Sequence, residues 1–369
     1  MNSVNKKRIV SLVVVFLTLG MILVLLLSSN LFRNNNNRIK IGYVMTGSAS
    51  EGGWNGMNYE GIKGACEQSG VELIIIENIP EYTGECSKAV QELVEKDAEV
   101  IFLSSFNYAD EIADVIRENP EIQFYASASG NVQEKNLSVY FPRMYQARYL
   151  SGMIAGATTK SNVIGYVAAM DNSEVNRGIN AFTLGVLRAN PNASVVVYFT
   201  GDWNNEAVEK EAADILVREE GADVLTYHQN LAYVVEEADK LGVWSISYHI
   251  DGTEMSDKCL TGVVCDWQCL YQEIIKDYLK GINTENNLVW LGIDRHVVDL
   301  SGYGKDVSEE NIAMVEKTKV ELIGGKEVFS DEIIDNAGNV RCNIGEMISD
   351  SYLMDEMTWF VRGVRIYEK

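Results

Sequence analysis

From residue 39 onward, short apolar runs alternate with stretches whose apolar residues recur at helical spacing. The runs IKIGYVMT (39–46), VELIIIEN (71–78), EVIFLSS (99–105) and IQFYASA (122–128) read as strands. A second series follows with NVIGYVAAM (162–170), SVVVYFTG (194–201), DVLTYH (223–228) and VWSISYHID (243–251). Between strands, CSKAVQELVEKDA (86–98) sets Ala89, Val90, Leu93 and Val94 on one helical face. Likewise NNEAVEKEAADILVREEGAD (204–223) aligns Ala207, Val208, Ala212, Ile215 and Leu216, with Gly221 as its stop. Strands alternating with such helices are the mark of βαβ units around a parallel sheet.

The two series share one rhythm, and its phase breaks at YQARYLSGMIAGATTKSN (145–162), a helix leading from one unit into the next. The chain is therefore expected to form two doubly wound α/β lobes with a ligand cleft between them. Lobe 1 would span 39–158 with a return segment near 252–285. Lobe 2 would span 159–251 with part of 286–345, and 346–369 would form a C-terminal segment. Ligands in such sheets bind outside the carboxyl ends of the strands. That singles out the loops at 46–56, 104–110, 170–175, 201–205, 228–231 and 249–254.

The first 40 residues differ in kind. Lys6, Lys7 and Arg8 precede an uncharged apolar run, residues 9–29, about the 20 residues that cross a bilayer as a helix. Residues 1–30 read as a membrane anchor, with a cleaved signal peptide as the alternative, and 31–38 as a polar tether. The basic flank keeps that end inside, so the remainder faces outward. From residue 41 on, 25 basic side chains stand against 53 acidic ones, a net −28. Such a surface repels nucleic acid and anionic membrane. Six cysteines (66, 86, 259, 265, 269, 342) leave disulfides and free thiols both open, while the 259–269 spacing lacks the C-x2-C pair of a zinc site.

GSASEGGWNGMNYEGIKGA (47–65) has the glycines of a phosphate loop but neither G-x-x-x-x-G-K-[ST] nor G-x-G-x-x-G, and it carries Glu51. The stretch reads instead as a flexible turn presenting Trp54, with Asn55 beside it as a polar or capping group. TGDWNNEAVEKEAA (200–213) repeats the arrangement with Gly201, Trp203 and Asn204. Two tryptophans on equivalent loops would sandwich one planar heterocycle, each face contributing about 0.5–1.5 kcal/mol beyond area burial. Further candidate ligand contacts are Ser105 and Phe106, His228, Asp251 and Trp267. Asp251 suits ribose hydroxyls or ring N–H groups, with turn capping as the competing role. No G-x-S-x-G or H-E-x-x-H is present, so neither catalysis nor a cofactor or metal is expected.

Three segments, GSASEGGWNGMNYEGI (47–62), the span 148–193 containing NRGINAFTLG, and GDWNNEAVEKEAADILVREEGADVL (201–225), resemble the BMP family of substrate-binding lipoproteins, the purine-nucleoside-receptor type. The resemblance implies a type I periplasmic-binding-protein fold. It implies a purine or nucleoside held between Trp54 and Trp203 with help from Asp251, and delivery to an ABC permease and ATPase. A sensor subunit signalling to a membrane partner is the alternative. SASEGGWN and GVVCDWQ replace the family's nucleoside-binding first loop and late lysine, which favours a base alone or an altered ligand. No cysteine precedes Cys66 to take the family's lipid, so the 9–29 segment is expected to serve as the anchor.

Overall fold

The strand β1 (Lys40–Val44) is buried along almost its whole length, as a central strand covered on both faces must be. Our computed structural model describes residues 38–128, 133–282, 285 and 287–368, so the expected anchor at 9–29 and nearly all of the tether lie outside the described residues. Among those described, no helix is long and apolar enough to cross a membrane.

β1 pairs in parallel with β2 (Glu72–Ile76) and with β3 (Val100–Leu103). β4 (Gln123–Ser127) and β5 (Leu137–Pro142) extend the sheet. The second sheet gathers β6 (Val163–Ala168), β7 (Ser194–Phe199), β8 (Val224–His228) and β9 (Trp244–Tyr248) in the same parallel manner. The two series of apolar runs thus form two separate sheets, one for each repeat of the rhythm. β5 was not anticipated, because LSVYFP ends in a proline and lacks a helix before it.

The later strands are distributed differently from the expected boundaries. β10 (Cys259–Cys265), placed by sequence in the return to lobe 1, pairs in parallel with β9 and so belongs to the second sheet. β11 (Leu288–Leu291) makes the return instead, pairing with β5 at the edge of the first sheet. β12 (Val298–Leu300) then runs antiparallel to β10. The hairpin β13 (Ile333–Ile334) and β14 (Val340–Cys342) stands apart, and β15 (Val364–Ile366) closes the second sheet on β7. The reason is geometric: β10 follows β9 directly and can lie beside it, whereas β11 follows a helix long enough to cross back.

Among the principal helices, α1 (Gly53–Ser69) and α2 (Glu85–Glu95) cover the first sheet. α3 (Met144–Thr158) carries the chain across to α4 (Ser173–Ala189), against which it packs closely. A Cβ at Gly185 would stand 1.9 Å from the Tyr149 carbonyl, so only glycine permits this crossing. α5 (Glu206–Arg218) flanks the second sheet, and α6 (Trp267–Leu279) returns to pack on α1. All six cysteines are free thiols, five of them buried.

Candidate functional site

The carboxyl ends of β1, β3, β4, β5, β8 and β9 face one cavity of about 190 Å³ between the two sheets. Trp54, Glu81, Ser105, Phe106 and Phe141 line it from the first lobe, and Glu174, Trp203, His228, Asn230, Tyr248 and His249 from the second. Of the sequence-predicted residues, Trp54, Ser105, Phe106, Trp203 and His228 reach this cavity. Asn55, Asp251 and Trp267 do not.

Trp54 sits not on a loop, as expected, but in the first turn of α1. Its indole N–H donates to the Ser104 carbonyl at 3.2 Å, which fixes the ring against the first lobe. Phe141 lies 6.3 Å away at 32°, and Trp267 meets the indole edge-on at 5.1 Å and 86°. Trp267 is 2% exposed and packs behind Trp54, outside the cavity lining. Asn55 is buried too: its Oδ1 accepts from Thr46 Oγ1 and the Gly47 amide, and its Nδ2 donates to Glu51. The amide and Glu51 together brace the glycine turn. That explains a carboxylate in a loop that only looked suited to phosphate.

Across the cleft, the Asn230 amide donates to the Trp203 carbonyl at 2.9 Å, so the loop after β8 holds the loop after β7. Asn205 caps α5 through Val208 N–H, and Glu209 accepts the Asn205 amide at 3.0 Å. Trp203 is thus carried on a loop fastened at both ends. The indoles of Trp54 and Trp203 do not touch each other among the described residues, and Trp203 has His228 as its ring neighbour at 6.2 Å. Asp251 accepts from the amide and hydroxyl of Thr253 and caps the short 3-10 turn Gly252–Glu254. Both bonds go to Oδ1, and Asp251 does not line the cavity.

In the cavity the predicted His228 is paired with Glu174, which sequence reasoning missed. Glu174 lies in the first turn of α4, whose N-cap is Asn172, and its Oε1 stands 3.0 Å from His228 Nε2. Burial alone would raise the Glu174 pKa. His228, Arg177 and Arg148 outweigh that and hold it below the usual carboxylate range. Burial, reinforced by the same two arginines and opposed by Glu174, pushes the His228 pKa down. The pair therefore stands as a carboxylate and a neutral imidazole, with Nε2–H donating to Oε1. Arg148 and Arg177 line a chamber of about 10 Å³ behind the cavity, not the cavity itself. Burial, with His228 and Arg148 adding to it, drives the pKa of neighbouring His249 well below its ordinary value, so it too is neutral. Among the described residues its Nδ1 has no hydrogen-bond partner. The 170–175 loop pointed to the place of Glu174; what could have named the residue was its position one turn into a helix that follows a strand end.

Binding is what this arrangement can do: aromatic faces from both lobes with oriented polar groups among them. Comparisons with known proteins agree in fold and family. A solute-binding protein of an ABC transporter from Aeropyrum pernix superposes with a TM-score of 0.66 at 18% identity, covering 78% of this chain and 92% of its own. A solute-binding protein from Conexibacter woesei does so with a TM-score of 0.63 at 20% identity, covering 78% and 97%. The architecture is thus that of the ABC solute-binding proteins of periplasmic-binding-protein type. In sequence, a purine-binding protein of Brucella abortus is 27% identical over 89% of this chain and 93% of its own length. A putative ABC transporter glucose-binding protein of Haloferax volcanii is 32% identical over 75% of this chain and 68% of its own. The family model described as "ABC transporter substrate-binding protein PnrA-like" matches residues 38–338, from the start of the first lobe through the β13 strand, and the chain belongs to that family, Bmp.

Proposed function

We propose that this protein captures a purine base or nucleoside between its lobes and hands it, unchanged, to an ABC importer. Proteins of the family work outside the cytoplasm, bind small molecules and serve an ABC permease. That role favours delivery over the sensor alternative. The observation that carries the reading is the placement of Trp54 and Trp203 on opposite lobes, both lining one cavity without touching each other. Two such faces suit a flat heterocycle, and the name of the Brucella abortus relative points the same way.

Glucose is the ligand named for the Haloferax volcanii relative. Three aromatic faces, Trp54, Phe106 and Trp203, line the cavity, which favours a flat heterocycle over a hexose. The run at 9–29 would keep the protein beside its permease, raising effective concentration.

Native mass spectrometry of the purified protein tests the assignment, because tight ligands copurify. A bound purine mass, with a thermal midpoint raised by added purine and not by glucose, is the expected result. A hexose mass, or no stabilisation by any purine, would overturn it.

A further inference from the structure

We infer that Glu174 selects a purine edge carrying two adjacent N–H donors, that of a 2-amino-6-oxopurine such as guanine, over the donor–acceptor edge of adenine. The inference rests on the purine reading above and narrows it. Its basis is the supply of acceptors in the cavity. Glu174 reaches the cavity, and among the described residues its one hydrogen bond comes from His228 to Oε1 and no group donates to Oε2. Arg148 and Arg177 stand behind it, and it occupies the N-terminal turn of α4, where the helix dipole favours negative charge. A carboxylate so placed accepts hydrogen bonds and offers none.

Each carboxylate oxygen has two acceptor positions, so Glu174 can take a pair of parallel N–H groups as it would take a guanidinium fork. Guanine presents such a pair at ring N1–H and the 2-amino group. Hypoxanthine keeps the ring N–H and lacks the amino group. Adenine alternates an amino donor with a ring-nitrogen acceptor, and that acceptor would face a carboxylate oxygen. Among the described residues no lysine or arginine lines the cavity, whereas Glu81 adds a second carboxyl to its wall. Anionic heterocycles such as urate are disfavoured for the same reason.

The distinguishing experiment is competition binding at neutral pH with guanine, hypoxanthine, adenine and urate, on the wild type and on Glu174→Gln. For the wild type, guanine should bind tighter than adenine by about tenfold or more, the discrimination typical of one bidentate pair, with hypoxanthine between them and urate weakest. Glutamine offers one donor and one acceptor side by side, which matches adenine. Glu174→Gln should therefore weaken guanine about tenfold and leave adenine equal or tighter. A wild type that binds adenine or urate as tightly as guanine overturns the inference, as does a folded variant that keeps the guanine preference. If the variant does not fold, the wild-type ranking decides alone. Failure of every purine to bind is a different result and overturns the purine reading itself.

Discussion

The backbone amide of Trp54 donates to the carbonyl of Asn230 at 3.2 Å, joining the first turn of α1 in one lobe to the loop after β8 in the other. Gly53 makes this contact possible. Its φ is +61°, and a Cβ there would stand 1.8 Å from the same carbonyl oxygen. The glycines of the opening loop thus let two lobes meet at the mouth of the cleft, beside the indole that forms one wall.

Gly53→Ala should hold the lobes apart at this point. Ligand affinity is expected to fall by about tenfold or more, while the strain of a left-handed alanine lowers stability by only about 1 kcal/mol. Calorimetry and thermal melting measure the two effects separately. An alanine variant that binds like the wild type would show that the contact is not part of the bound state.

Trp203→Ala should weaken binding of a planar ligand by about 3- to 10-fold from stacking alone, and further from lost area, with little change in melting temperature. Trp54→Ala should weaken it as much and also lower the melting temperature, because Trp267 and Phe141 pack on that indole. Calorimetric titration of both variants beside the wild type checks the pair. Equal affinity in both would remove the sandwich.

Asp251→Ala serves as the contrasting case. The carboxylate caps a 3-10 turn, so its loss should cost about 1 kcal/mol in urea denaturation. Affinity should stay within about twofold, since the side chain does not line the cavity. A loss of affinity well beyond the loss of stability would restore the ligand-binding role that family resemblance suggests.

Glu209, under the Trp203 loop, predicts a pH dependence. Burial pushes its carboxyl up to about 7, with Asp202 and Glu206 adding to the shift and the Asn205 amide and Lys210 opposing it. Between the unfolded value near 4.5 and about 7, the folded protein holds a proton that the unfolded chain has lost. Stability contributed by this group is full below the unfolded value and is lost as pH rises through about 7. Denaturation at pH 5 and pH 8 should show that decline, and Glu209→Gln, which mimics the protonated form, should flatten it. An unchanged slope in the variant would assign the decline to other groups.

Much of the lobe architecture was legible in the chain, because central parallel strands are continuous apolar runs and the helices between them are amphipathic. The late crossings were not. Residues 259–291 form one strand for each sheet with a helix between, and periodicity carries no information about which sheet receives which strand. At the site, Trp54 and Trp203 stood out as aromatics in glycine-flanked polar stretches. Glu174 did not, since one carboxylate among 53 acidic residues looks like any other until the fold sets Arg148, Arg177 and His228 around it. Asp251 and Trp267 misled for the opposite reason: both sit beside strand ends, but local capping and packing against Trp54 claim them.

A crystal structure of the protein with a bound purine tests the central claim most directly. A planar ring should lie between the indoles of Trp54 and Trp203, its polar edge toward Glu174, with the Trp54–Asn230 contact formed. A ligand seated elsewhere, or one held in the cleft without touching either indole, would contradict it.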